Sequence, residues 1–189
     1  VGGSLSANED LQKLVEEIAE ALSIDVFIET GTHRGDTAMW AASRFRDVYT
    51  IEKSMKGYLA MQHVAEEAGV ENLVALWGDS GSLLPDLLSL VKEGPILFWL
   101  DAHDGKHRPP IREELDAIAQ HPYNHVIFID DARLFGRQGL EGWPTLEEIG
   151  CRLEDSIVML VRDAIVAYPP QYEQLLRPII FSVPGATGL

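Results

Sequence analysis

The sequence predicts a doubly wound α/β domain built on a largely parallel sheet, and three observations predict it. Five short apolar runs recur along the chain: Val26-Phe27-Ile28, Val48-Tyr49-Thr50-Ile51, Leu73–Trp77, Ile96–Leu100 and Val126–Ile129. Each finishes on or just before a carboxylate, in turn Glu29, Glu52, Asp79, Asp101 and the Asp130-Asp131 pair. Runs this rich in β-branched and aromatic residues read as strands whose two faces are both covered by helices. Amphipathic stretches alternate with them, as a doubly wound fold requires. Lastly, Ile157–Val161 and Ala164–Tyr168 are separated only by Arg162-Asp163, too short a link for anything but an antiparallel hairpin.

The 189 residues suffice for one domain with a substantial core, and no internal repeat or low-complexity segment divides them. A formal net charge of −15 argues against a nucleic-acid partner, which needs clustered Lys and Arg. A small molecule is the better expectation. Cys151 is the only cysteine, so no intrachain disulfide can form, and a reducing, cytoplasmic setting is expected, with the thiol half-buried and inert. No apolar stretch is long enough to span a bilayer. The chain opens Val-Gly-Gly-Ser, which leaves a removed leader open.

In order along the chain, Asn8 or Asp10 can cap a first helix with an apolar stripe at Leu11, Leu14, Val15, Ile18, Ala19 and Leu22. The first strand leads through a glycine-bearing turn into a helix over residues 36–44. The second strand ends at Glu52, and a helix over 55–68 stops at Gly69. After the third strand, Ser80 or Ser82 can cap a helix over 83–91, which Gly94-Pro95 closes off. Pro109-Pro110 opens a helix with Ile111, Leu115 and Ile118 on one face, ending near His121-Pro122. Residues 132–145 read as a long glycine-bearing loop, a candidate lid, followed by a short helix over 146–153 and the hairpin. The run 178–184 reads as an edge strand or a subunit contact, which leaves homo-oligomerisation open.

In open α/β sheets ligands bind outside the carboxyl ends of the strands, so the five acids would share one rim. Clustered carboxylates repel one another, so such a rim is suited to hydroxyls, amines or a cation. The turn Glu29-Thr30-Gly31-Thr32-His33-Arg34-Gly35 lacks both the dinucleotide fingerprint and the Lys of a phosphate-binding loop. Gly31 permits a tight turn and close approach to a ligand, and Gly35 permits close helix packing. Glu52, at the end of the second strand, can accept both hydroxyls of a ribose, and Asp79 suits an exocyclic amine.

On these residues the chain resembles the class I S-adenosylmethionine-dependent methyltransferases, over nearly its whole length. The resemblance implies a seven-stranded sheet of order 3-2-1-4-5-7-6 with strand 7 antiparallel, in a single domain. Within it, residues 1–24 form the N-terminal helix, 25–131 the cofactor-binding units, 132–145 the candidate lid, and 146–189 the last helix and hairpin. It also implies cofactor contacts from Glu29, Gly31, Thr32, His33, Gly35, Glu52, Asp79 and Ser80.

The second half resembles the metal-dependent O-methyltransferases, both the catechol type and the type that methylates sugars on macrolides. Asp101, Asp130 and Asp131 match the acids that hold Mg²⁺ or another divalent cation there, an oxygen-rich shell suited to that ion. Where the sugar-type enzymes read Leu-Asp-Gly-Asp, this chain reads Leu100-Asp101-Ala102-His103-Asp104. His103 is then a candidate base, with Asp101 beside it, for a small-molecule hydroxyl. Glu113 and Glu114 could add ligands, and Lys106, His107, Arg108 and Arg112 could hold an anionic group or neutralise the acids. The expected activity is cation-assisted O-methylation. The rivals are metal-independent transfer to another acceptor, and a nucleoside- or cation-binding protein without turnover.

Overall fold

A computed structural model describes residues 5–91, 94–103 and 108–189. The helices are α1 (Glu9–Leu22), α2 (Asp36–Ala42), α3 (Met55–Glu67), α4 (Ser80–Leu90), α5 (Ile111–Ala119), α6 (Leu146–Arg152) and α7 (Glu173–Phe181). The strands are β1 (Val26–Thr30), β2 (Asp47–Glu52), β3 (Leu73–Trp77), β4 (Ile96–Leu100), β5 (Val126–Ile129), β6 (Ile157–Val161), β7 (Ala164–Tyr168) and β8 (Thr187–Gly188). They form one sheet of order β3-β2-β1-β4-β5-β7-β6-β8. The first five are parallel, and β7 runs antiparallel to both β5 and β6. The sheet thus has the expected order and reversal, with an eighth strand added: Thr187-Gly188 pairs antiparallel with Met159-Leu160 of β6. Two residues of alternating turn-like composition carry no strand signal of their own.

The alternation of side chains along each strand divides the core in two. Ile96, Phe98 and Leu100 of β4 pack with Leu84, Leu88, Leu115 and Ile118 of α4 and α5. Leu97 and Trp99 face the other way, into a cluster holding Leu14, Val15 and Ile18 of α1 and Leu176 and Ile180 of α7. Both faces of β4 are fully buried, which explains its unbroken apolar sequence.

Helix ends are set locally. Asn8 caps α1, its side chain accepting the Leu11 N–H at 3.2 Å. Asp79, rather than Ser80 or Ser82, occupies the cap position of α4, because that helix begins three residues earlier than its apolar stripe suggests. Thr145 and Glu148 form a reciprocal capping box on α6. Behind α5, the Ile96 N–H donates to His125 Nδ1 at 3.1 Å. Burial pushes His125 down to about 4, so it is neutral and its Nε2–H faces His121 Nδ1 at 2.9 Å.

Two expectations are corrected. The run 178–184 is not an edge strand: its first residues complete α7, where Leu176 and Ile180 are buried four residues apart against α1, while Pro178, Phe181 and Ser182 face outward. The β-branched run Ile179-Ile180 suggested a strand, and the helical spacing with Leu176 prevails. Cys151 is exposed on α6, not half-buried. Among the described residues no helix is long and apolar enough to cross a membrane.

Candidate active site

The carboxyl ends of β1–β5 open into one cavity of about 1400 Å³. A drug-sized ligand needs roughly 300–1000 Å³, so there is room for two reactants side by side.

At one end lies the turn after β1. Gly31 has φ +84°, and a Cβ there would overlap the carbonyl of Asp101, so glycine is what lets this turn lie against the end of β4. The tight turn expected at Gly31 is present; the backbone it lies against is the protein's own, and Gly31 also lines the cavity. A Cβ on Gly35 would overlap Met61 Sδ, so Gly35 does permit close packing, of the turn onto α3. His33 also takes a left-handed conformation, with φ +51°. Its N–H donates to Glu52 Oε2 at 2.8 Å, and the Ser54 N–H donates to Glu52 Oε1 at 2.7 Å. Glu52 thereby joins the turns after β1 and β2, and lone pairs on both oxygens remain for a diol.

Glu29 lies beneath this turn, 2% exposed. Thr50 donates to its Oε2 at 2.6 Å, and Thr32 and Thr50 share a 2.5 Å hydroxyl contact. Burial, reinforced by Glu52 and Asp36, pushes Glu29 up to about 8. Thr50 was not anticipated; only the alternation along β2 places it beside Glu29. On the next turn Lys53 donates to Asp79 at 2.9 Å. The Ser80 hydroxyl turns inward, 2.5 Å from Glu114, whose carboxyl is buried and pushed up to about 7. Glu114 therefore braces α4 against α5, while Ser80 reaches the cavity wall with its remaining atoms.

At the other end are the acids after β4 and β5. His103 Nε2 lies 2.7 Å from Asp131 Oδ2 and 3.5 Å from Asp101 Oδ1. The His103 hydrogen bond and the Arg133 guanidinium hold Asp131 below the usual carboxylate range. An ionised carboxylate can only accept, so His103 carries its proton on Nε2 and presents Nδ1 as the basic nitrogen. Burial, with Asp130, Asp131 and Glu29 nearby, pushes Asp101 up to about 9. Burial and Asp131 raise Asp130 to about 6, although its Oδ1 accepts the Asp131 N–H at 2.7 Å.

The acids fit a cation. Ligand atoms of Asp101, His103 and Asp131 lie within 4.8 Å of one another, and so do those of Asp130, Asp131 and Asp163. Carboxyls driven this far toward the proton-bound form mark a shortage of positive charge, which a divalent ion held by carboxylate oxygens would supply. The structure distributes the three predicted acids between two groups that share Asp131. His103 joins the first and Asp163 the second, a contribution that the spacing of the sequence did not reveal.

Residues 132–145 border this end. The first three form a turn of 3₁₀ helix, and Phe135 and Trp143 are buried. The Trp143 ring meets His103 edge-on at 5.1 Å between centroids. Arg112 donates to the Gly142 carbonyl at 2.8 Å and to Glu148 at 3.0 Å, while Arg108 pairs with Glu113. These arginines are thus engaged with the protein's own acceptors. Asp104, Lys106 and His107 lie outside the described residues.

No protein-family model matches the sequence, and no curated protein does. Solved structures do match in three dimensions. TomG, an O-methyltransferase of Streptomyces achromogenes involved in tomaymycin synthesis and solved with S-adenosylmethionine, superposes with a TM-score of 0.63. The match has 18% identity and covers 84% of this chain and 78% of that one. An O-methyltransferase from Bacillus cereus, solved with S-adenosylhomocysteine, gives 0.61 at 19% identity over 84% and 80% of the two chains. A methyltransferase from Geobacter sulfurreducens gives 0.60 at 13% identity over 86% and 79%. In its sheet order, its reversed seventh strand and these superpositions, the chain has the fold of the class I S-adenosylmethionine-dependent methyltransferases.

Proposed function

We propose that this protein transfers a methyl group from S-adenosylmethionine to a hydroxyl of a small molecule, with help from a divalent cation. The observation that carries this reading is a single cavity joining the Glu52-braced turn at one end to the His103–Asp131 pair at the other. The solved neighbours from Streptomyces and Bacillus, named as O-methyltransferases, support it.

Gly31, Thr32, His33 and Gly35 form the turn that receives the methionine end. Glu52 accepts from the ribose hydroxyls, and Asp79 with Ser80 lines the adenine side. Bound there, S-adenosylmethionine supplies an electrophilic methyl. His103 accepts the acceptor's hydroxyl proton on Nδ1, and Asp131 stabilises the imidazolium that results. Asp131 would hold the cation, with Asp101 on one side of it or Asp130 on the other, and the ion's contribution would be to lower the hydroxyl pKa and orient the oxygen. Trp143 keeps water from one side of His103, and residues 136–142, mostly exposed between two buried aromatics, are the part of the segment free to cover the acceptor.

Transfer without a cation has one observation in its favour: Arg133 already gives Asp131 a positive partner at 2.5 Å. Calorimetric titration with S-adenosylmethionine, then methyl-transfer assays on a panel of hydroxyl acceptors with and without chelator, tests the whole reading. Activity lost to chelator and restored by Mg²⁺ or Mn²⁺ is expected. Full activity in excess chelator would leave Arg133 as a counter-charge to Asp131 in place of the ion, and binding without product on any acceptor would favour a non-catalytic protein.

A further inference from the structure

The hairpin between β6 and β7 brings a side chain to the rim that the proposed reaction has not yet used. Asp163 stands in its turn, thirty residues after Arg133 in sequence and in contact with it in space. Its carbonyl accepts the Ala132 N–H at 2.8 Å, and its Oδ1 accepts the Arg133 N–H at 3.0 Å. Its Oδ2 is bound by Arg133 Nη1, the same nitrogen that donates to Asp131 Oδ1 at 2.5 Å. The other Asp131 oxygen faces His103 at 2.7 Å. Asp163, Arg133, Asp131 and His103 therefore form one continuous line of charge-assisted hydrogen bonds.

Resting on the methyltransferase reading above, we propose that Asp163 is a positioning residue for His103, acting through Arg133 and Asp131. Rotation of a carboxylate about its last torsion is broad and weakly restrained. Asp131 can hold one imidazole orientation only if its second oxygen is fixed too, and Arg133 fixes it. The Arg133 side chain is 43% exposed and would be free to swing into solvent without a second anchor. Asp163 is that anchor, gripping both the guanidinium and the backbone directly after Asp131. The Asp131 backbone, at φ +59°, is held in a left-handed conformation by the same grip. A carboxylate orienting a base through a third group is a general way of fixing tautomer and aim.

The test uses the full chain with Asp163→Asn and Arg133→Met, singly and combined. Long-range ¹H–¹⁵N NMR of the His103 ring, recorded without added cation, reads the tautomer directly and needs no activity. The wild type is expected to show the Nε2-protonated form, and each variant a tautomer mixture. In steady-state assays kcat is expected to fall about 10- to 100-fold with the S-adenosylmethionine Kd and acceptor KM unchanged. The double variant is expected to lose no more than the worse single one, because both cut the same line. Wild-type ring signals in both folded single variants, or losses that multiply in the double, would overturn the proposal. If Asp163→Asn does not fold, Arg133→Met carries the same test from a half-exposed side chain. A tautomer shift in a protein that methylates nothing would instead sink the methyltransferase reading alone.

Discussion

Glu52 accepts the backbone N–H of His33 at 2.8 Å, so the acid placed to meet a ribose also fixes the turn that meets the methionine end. The Ser54 N–H on its other oxygen completes the brace. Glu52→Ala is expected to weaken S-adenosylmethionine binding by on the order of 1–3 kcal/mol, the usual loss when charge-assisted hydrogen bonds go unmade. Glu52→Gln should lose less, since its single oxygen can keep one backbone bond. Calorimetry on both variants checks this; an unchanged affinity in Glu52→Ala would remove the site assignment.

Gly31→Ala tests the fit between the β1 turn and β4. The new methyl meets the Asp101 backbone and must also take up φ +84°, and neither the strand nor the turn can yield cheaply. A loss of about 2–4 kcal/mol in urea unfolding is expected. A variant as stable as the wild type would mean that the two backbones do not approach this closely.

Glu29 makes a pH-dependent prediction. Its folded value, about 8, lies above the ordinary 4.5, so the folded state holds a proton that the unfolded state releases in between. Its contribution to stability is therefore full below pH 4.5 and is lost as pH rises through about 8. Glu29→Gln keeps the neutral form at every pH. Its stability relative to wild type should climb across that window, at up to about 1.4 kcal/mol per pH unit, and level off above it. Parallel denaturant curves from pH 5 to 9 measure the difference, and a flat difference would contradict a protonated Glu29.

Trp143 packs on Phe135 and against the edge of His103. Trp143→Ala removes a buried ring and should cost about 3–5 kcal/mol of stability, while Trp143→Phe should cost much less. Under the proposed function, the phenylalanine variant retains cofactor affinity and most turnover. Loss of S-adenosylmethionine binding in Trp143→Phe would show that this segment serves the cofactor rather than the acceptor.

The sheet was legible because its strands are unambiguous: β4 is buried on both faces, and its apolar run has no competing reading. The acids at the rim were legible for the same reason, since each lies at a strand end or within two residues of one. What eluded the sequence depends on distance along the chain or on geometry between elements. Asp163 and Arg133 are brought together only by the antiparallel pairing of β5 with β7. Ser80 reads as a cap or a ligand until α5 presents Glu114 to it. Helix α7 was obscured by Pro178, which argues against a helix interior, and by the β-branched Ile179-Ile180, which reads as a strand until α1 supplies a helix-spaced partner surface.

The sheet also divides the protein into two ends that tolerate change differently. Every side chain in the proposed chemistry lies beyond the carboxyl ends of β1–β5 or in the hairpin turn beside them. The connection from α3 to β3 lies at the opposite end, where Gly69 has nothing within 4 Å of its missing side chain. A fluorophore, an affinity tag or new chain termini created by circular permutation could be introduced after Gly69 and leave the reactive end untouched. The molecule thus offers a handle for immobilisation or single-molecule work on the side away from its chemistry.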